Sequence, residues 1–586
     1  MTKDMNDRGR LCRFRIARAR LWLGITLGLS LVSGLALDLK APGAVEPDDE
    51  AGEWAHAERL AVLRERFETE TAQALANAEL AQPLRMGDTT YVSGLLTGLH
   101  VWDEAGSPYV IESDLLVGLG AMLRILPGTR ILLGQDVLFL VLGNLTAIGA
   151  ENDSIYFEPL GLPRWRRIGF NNSWGNTLSY CSLRHLASGL DHEGSIYAYD
   201  SSRVTVTDSQ IRDGLGGGCV AFNRCNITVI GSMIHDVSGL ALSSFDRSRP
   251  HFEGNLVWDT GNDCVDSDYN PAPPKLVRAN TLWDCGNDGI DLDFGFNGDI
   301  IGNTVFGCAD KALSISFSST PFVQNNIFAF SDNGVVVSNS SVAELVNNTM
   351  ANNTKFGVKA YIRNEGYGGG TASLLNCIVF NNYHGLYSFS IEDSSEITAT
   401  YSCIEGDTTF AGVGNISADP MFADPLSWDF HLTEGSSCID AAQWVFPVTS
   451  YDFEGHARWD NPLVPNTGSG SITYVDIGAD EFWYEGASVE DPGEAAGVSR
   501  VIQAVRISPL PARRQLSMSI QLARPATMRI DFYDVRGRRL DALVREGQSG
   551  WNPVEWDPEG LAGRGVIFYR VRAEGESSTG HAVVLH

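Results

Sequence analysis

Positive charge is scarce in this chain: 43 Lys and Arg stand against 72 Asp and Glu, a formal net charge of −29. So acidic a surface is repelled by phosphate backbones, which argues against a nucleic-acid partner. It also repels polyanionic polysaccharide unless a cation intervenes. Cysteine is sparse as well. Ten residues in 586 include no Cys-x-x-Cys, and nine remain once Cys12 in the N-terminal region is set aside. That odd number argues against a zinc ribbon or a complete disulfide framework. The histidines, among them His185, His192, His235 and His384, fall in no metal-ligand spacing and read as surface or turn residues. After residue 37 no apolar run is long enough to span a bilayer.

What is present begins with Arg8, Arg10, Arg13, Arg15, Arg18 and Arg20, followed by the apolar "LWLGITLGLSLVSGLAL" from Leu21 to Leu37. A basic start, an apolar stretch and small residues at Gly34–Ala36 predict a secretory signal peptide over 1–37 and a secreted or cell-surface protein. An uncleaved anchor is the alternative, since about 17 apolar residues reach the short end of a membrane span. Residues 38–85 are rich in Ala, Glu and Arg, with Leu60, Leu63 and Phe67 at helical spacing, and predict a solvated helical spacer.

The rest is organised by a repeat. A small or polar residue followed two later by an aliphatic one recurs at Ser209, Ser232, Asn255, Asn280, Asn303, Asn325, Asn348 and Asn376, and Ser402 continues the series. Around each marker comes a phrase such as "GNLVWD" or "ANTLWD", and about ten residues later strict alternation, as in "GIDLDF" and "GVVVSN". Alternation is a period of two, so these are strands. One strand set every ~23 residues with no helix between leaves a chain coiled as an all-β parallel solenoid. With the repeated phrases in place, the sequence resembles the right-handed parallel β-helix family, the pectin-lyase-like fold. That resemblance implies roughly a dozen coils, a solenoid over 86–484 and an inward asparagine ladder at a tight turn.

The register assigns faces. In "GNDCVDSDYN" (261–270) and "GNDGIDLDFG" (286–295), Val265, Ile290 and Leu292 point inward, so Asp266, Asp268, Asp291 and Asp293 point outward. Successive coils lie about 4.8 Å apart, which makes the four carboxylates a two-by-two grid. Neighbouring columns add Asp259 beside Asp284 and Asp263 beside Asp288. Lys311 falls under Asp288, Ser314 and Ser316 under the grid, and Ala241 and Ser243 above it. Two carboxylates ~5 Å apart repel by roughly 3 kcal/mol at an effective dielectric near 20. A bound Ca²⁺ would remove that cost with hard oxygen ligands. Acid–base work in glycoside hydrolysis, or a merely solvated acidic patch, are the other readings.

The two phrases resemble the acidic coil motifs of polygalacturonases, but Asn262 and Asn287 replace an aspartate, and the Gly-His-Gly and Arg-x-Lys of those enzymes are missing. Polysaccharide lyases of this fold use Ca²⁺ to neutralise a uronate carboxylate and a Lys or Arg as base. By that resemblance Asp266, Asp268, Asp291 and Asp293 would hold calcium and Lys311 would be the base; the plainer reading of Lys311 is a counter-charge to Asp288. A second outward column, Trp258, Trp283, Phe306 and Phe328, reads either as a carbohydrate platform, with Trp258 and Trp283 binding substrate, or as stacking that stabilises the solenoid. Cys285 above Cys308 and Cys377 above Cys403 read as disulfides or as small buried hydrophobes.

Residues 485–499 are acidic and poor in large apolar residues, a linker by composition. Residues 500–586 read as short strands with Gly turns, a small β-sandwich. "YDVRGRRL" (Tyr533–Leu540) and Trp556-Asp557 resemble the C-terminal sorting domains of type IX secretion and the immunoglobulin-like domain of hook-capping proteins, although "SPLPARR" replaces their Pro-Asn-Pro opening. The expectation is thus a bacterial, monomeric, exported solenoid that binds or acts on polysaccharide, or a structural and adhesive one without catalysis.

Overall fold

The computed structural model describes residues 50–586 apart from 162–163, 187–193, 271–274, 390–393, 484–500, 508–515, 534–538, 557–564, 575 and 585–586. The expected signal peptide and the linker at 485–499 lie outside the described residues. Among the described residues no helix is long and apolar enough to cross a membrane.

Short strands, mostly of three to six residues, recur three to a coil, and each hydrogen-bonds to its equivalent one coil away. Sheet A has 13 strands from Gly94–Leu96 to His384–Ser388, sheet B has 15 from Leu84–Met86 to Cys403–Ile404, and sheet C has 13 from Leu99–Trp102 to Glu396–Thr400. Leu84–Met86 is antiparallel to Thr89–Tyr91, and the pairings that follow along all three sheets are parallel. The chain is therefore the expected all-β parallel β-helix. Its interior is one continuous apolar stack from Val92 to Ile404. Columns such as Ile290, Leu313, Val335 and Val358 sit in register on successive coils. Each side chain fully buried this way stabilises the fold by about 1.5–3 kcal/mol.

The polar ladder is present. Ser209, Ser232, Asn255, Asn280, Asn303 and Asn326 each donate a backbone N–H to the side-chain oxygen of the next marker, down to Asn348, at 2.8–3.2 Å. This satisfies backbone groups that would each cost about 1–3 kcal/mol if buried alone. Two expected members are displaced by one residue. Asn325 and Asn376 stand at positive φ, 54° and 56°, a turn conformation asparagine tolerates. Asn326 and Cys377 take the inward places instead.

A helix, α1 (Glu50–Asn77), departs from the expected solvated spacer by lying against the outer face of sheet A. The Phe67 ring is 5.1 Å from Tyr197 and 4.5 Å from Tyr199, and Ala74 packs in a cluster with Leu116, Leu138 and Leu140. Polar contacts flank this seam: Tyr199 donates to Glu68 at 3.1 Å, Arg167 pairs with Glu70, and Arg64 reaches Asp246 at 3.0 Å.

At the other end a closing segment folds back along sheet B, where Asn347 donates to the carbonyls of Asp476 and Gly478 at 3.1 Å. Beyond it, two small antiparallel sheets share a core of Leu516, Met518, Phe532, Trp556 and Val571. This sandwich docks on the solenoid. Arg529 and Arg572 reach Glu151 at 2.7 and 2.8 Å, and Tyr533 enters an apolar cluster with residues of sheet B.

Candidate functional site

The two acidic phrases are adjacent strands of sheet A. Val265–Asp268 pairs in parallel with Ile290–Asp293, and Asp266 stands opposite Asp291 and Asp268 opposite Asp293. The inward neighbours Val265, Ile290 and Leu292 are fully buried, which fixes the four aspartates on the outer face. Ser314 lies beside Asp291 as expected. Above the grid the register places Ser243 by Asp266 and Phe245 by Asp268. The expected Ala241 falls outside, because that strand begins at Leu242 with Leu242 opposite Val265.

Facing outward does not make these groups wet. Asp266 and Asp268 are 5% exposed and Asp293 is 9%. One oxygen each of Asp266, Asp291 and Asp293, and the Ser243 hydroxyl, is buried and bonds to nothing. Burial pushes the Asp266 and Asp293 carboxyls well above the ordinary range. The charges of Asp268, Asp263 and Asp291 add to this at Asp266, and those of Asp291 and Asp268 at Asp293, where Arg363 opposes them. Asp263, in the turn before the first strand, is raised by burial and then by Asp288 and Asp291. It accepts from the Asp288 N–H at 2.7 Å and from Asn287 at 2.9 Å. Burial lifts Asp288 to about 7 against the pull of Lys311. Six carboxyl groups therefore gather here. Asp259 and Asp284, expected in an adjoining column, belong to strands of sheet B instead.

Lys311 does fall under Asp288, donating its N–H at 2.9 Å and placing its ammonium 3.4 Å from the carboxylate, with Asp310 as a second partner. Its burial favours the neutral amine, but Asp288 and Asp310 outweigh that and raise its pKa. An ammonium held between two carboxylates is poorly suited to take up a further proton. This geometry favours the plainer reading of Lys311, a counter-charge to Asp288, over that of a general base.

The aromatic column is corrected. Trp258 and Trp283 are 4% and 2% exposed. His235, Trp258, Trp283 and Phe306 stack ring on ring at 4.1, 4.7 and 6.0 Å, and Trp428 follows at 4.1 Å from Phe306. Tyr533 of the sandwich packs in the same cluster. Trp258 and Trp283 therefore present no open ring face to a sugar. Phe328 is not a member; it pairs with Val305 inside the solenoid, and Ala329 takes the place below Phe306. His235, expected to be a surface or turn residue, is instead 1% exposed in a strand of sheet B, and it follows Ser232 by the same three residues as Trp258 follows Asn255. A second stack was missed: Tyr269, Phe294 and Phe317, each directly after an outward residue of sheet A, stack at 4.2 and 4.3 Å beside the grid.

The disulfide joins Cys264 to Cys285, with Cα atoms 5.6 Å apart. Neither Cys285–Cys308 nor Cys377–Cys403 is bridged; Cys308, Cys377 and Cys403 are free and buried, the other of the two readings. Cys264 opens one aspartate strand and Cys285 ends the strand just before the next, so the bridge ties together the two coils that carry the grid.

The donor set suits a hard cation: carboxylate oxygens, three of them buried and unbonded. Among the described residues, however, no three His, Cys, Asp or Glu side chains already converge in a metal-binding arrangement.

A family model described as a right-handed β-helix region matches residues 167–328 and 275–419. No curated protein matches the sequence. Among solved structures, the periplasmic alginate epimerase AlgG is similar at 14% identity, over 53% of this chain and 84% of that one, with a TM-score of 0.41. The catalytic domain of a GH87 α-1,3-glucanase is similar at 12% identity, over 47% and 63%, with a TM-score of 0.33. An alginate lyase from Paenibacillus sp. str. FPU-7 is similar at 16% identity, over 45% and 91%, with a TM-score of 0.24.

Proposed function

We propose that the protein binds or acts on polysaccharide, outside the cell or at its surface, through the outer face of sheet A around Asp263, Asp266, Asp268, Asp288, Asp291 and Asp293. One observation carries this reading: six carboxyl groups are gathered on an outward face and three of their oxygens are left buried and unbonded. A solenoid needs no such cluster to fold, and apolar residues there would serve stability better. Carboxyls whose pKa burial has raised are of the kind that act as general acids, and a second carboxyl group on the adjoining coil gives the pairing used in glycoside hydrolysis.

Calcium is the second means of neutralising the cluster. Asp266, Asp268, Asp291 and Asp293 would hold it after side-chain rotation, and the ion would supply positive charge for a sugar carboxylate. Incubating the full-length protein with acidic and neutral glycans, with calcium or chelator, tests the proposal. New reducing ends identify a hydrolase, and absorbance from an unsaturated uronate identifies a lyase. Calcium at a hundredfold excess over its Kd should stabilise the wild type by about 2.7 kcal/mol. Asp291→Asn combined with Asp293→Asn should abolish that gain, and a wild-type melting temperature indifferent to millimolar calcium removes the ion from the proposal.

No binding and no product on any glycan would leave the second reading, a structural or adhesive solenoid. The clamped state of Lys311 and the incomplete catalytic motifs favour it. For the C-terminal sandwich we propose export or surface attachment, on the strength of its "YDVRGRRL" segment. Unchanged export of a chain lacking 500–586 would refute that.

A further inference from the structure

Beyond the aspartates the outer face of sheet A changes character. The column holding Asp291 continues through Ser314 and Val336 to Lys359 and then Tyr387. Three coils separate Asp291 from Lys359, about 14 Å at the strand spacing. Between Lys355 and Phe389 the chain carries Lys355, Lys359 and Arg363 against one acid, Glu365, in a protein of net charge −29. This stretch is basic within an acidic chain, and of its cations Lys355 pairs with Asp332 on the preceding coil at 2.8 Å.

Rings surround the lysine. Its ammonium lies 3.9 Å from the Tyr361 ring centroid and 5.4 Å from that of Phe356. Phe356 packs against His384 at 5.3 Å and Tyr387 at 5.0 Å, and Tyr387 meets Phe389 edge-on at 4.9 Å. Unlike the tryptophan column, this cluster is open: Tyr387 is 38% exposed and Tyr383 76%. Open ring faces held around a cation are the surface feature that marks a ligand site rather than a packed interior. Rings take the apolar face of a pyranose, and the ammonium takes a negative group on it.

We propose that Lys359, Phe356, Tyr361 and Tyr387 form a binding site for an anionic sugar unit, one carrying carboxylate or sulfate, in a glycan that extends along the solenoid towards the aspartates. The inference rests on the carbohydrate reading of that face. It also answers a difficulty in that reading, since an acidic protein repels an anionic glycan unless a local patch of cations and rings holds it.

Calorimetric titration of the full-length protein with a hexauronate, a sulfated neutral hexasaccharide and an unsulfated one tests it, and the first two arms separate carboxylate from sulfate. The wild type should prefer a charged ligand, and its affinity should fall as salt is raised. Lys359→Gln should weaken charged binding about tenfold, the loss of one charge-assisted contact, and Lys359→Arg should restore most of it. Tyr387→Ala should weaken charged and neutral binding alike. Melting temperatures of all three variants should stay near that of the wild type, because the altered groups are on the surface. Charged binding that survives Lys359→Gln unchanged, or a wild type that prefers the neutral ligand, overturns this site and leaves the carbohydrate reading intact. A wild type that binds none of the three overturns both.

Discussion

The outer faces of sheets A and B carry patterns that look alike, one chemical type repeated on successive coils, yet the structure treats them in opposite ways. On sheet B the rings of His235, Trp258, Trp283 and Phe306 lie against one another and are closed over by Trp428 and Tyr533, so apolar surface meets apolar surface. On sheet A Asp266, Asp268 and Asp293 are almost as deeply buried, but oxygens of Asp266, Asp291 and Asp293 meet no donor. Stacked rings stabilise a fold by being buried, and unpaired carboxylates destabilise it. One column holds the solenoid together, whereas the other is tolerated by it. A repeated residue type on successive coils therefore says nothing about role until burial and bonding are known.

Three measurements would break or sharpen this contrast. The largest effect is expected on sheet B, where Trp283→Ala should destabilise the protein by about 3–5 kcal/mol in urea unfolding. A cost below about 1 kcal/mol would mean that the stack is decorative and the contrast false. Next is the bridge under the grid. Replacing Cys264 and Cys285 together by Ala should cost about 3 kcal/mol, since the disulfide closes a loop of 21 residues. An unaffected unfolding midpoint would show that the two aspartate coils hold together without it.

The smallest effect is a slope. The Asp266 and Asp293 carboxyls have folded pKa values above their usual 3.8, so the folded state holds their protons more tightly than the unfolded chain. Their contribution is fully present below that value and is lost as pH rises through the folded pKa values, by about 1.4 kcal/mol per pH unit for each group. Stability measured from pH 4 towards neutrality should therefore fall less steeply for Asp266→Asn than for the wild type. Equal slopes would mean that Asp266 is an ordinary solvated carboxylate.

Much of this architecture is legible in the sequence. The period, the sheet faces and the placing of Lys311 under Asp288 follow from alternation and a constant offset, because each coil packs only on its neighbours. One-residue errors arose where strands are short and similar residues adjoin: Asn325 with Asn326, and Phe328 in a three-residue strand. The cysteines misled for a related reason, as Cys285 stands above Cys308 in register yet bridges back to Cys264. Harder to foresee was what covers each face. Trp428, Tyr533 and α1 come from distant parts of the chain, and no local pattern announces them. The tryptophans therefore looked available for sugar when they are not, while the open rings around Lys359 drew no notice.

The position of α1 has a consequence for the order of assembly. Ladder bonds between coils join residues 22 to 25 apart, so the solenoid can extend one coil at a time with small loops to close. The contacts of α1 span 97, 131 and 182 residues, to Arg167, Tyr199 and Asp246. Its seat does not exist until those coils have wound. The helix is synthesised before its receptor surface and must dock after it, so the growing solenoid spends its early life with the outer face of its first coils uncovered.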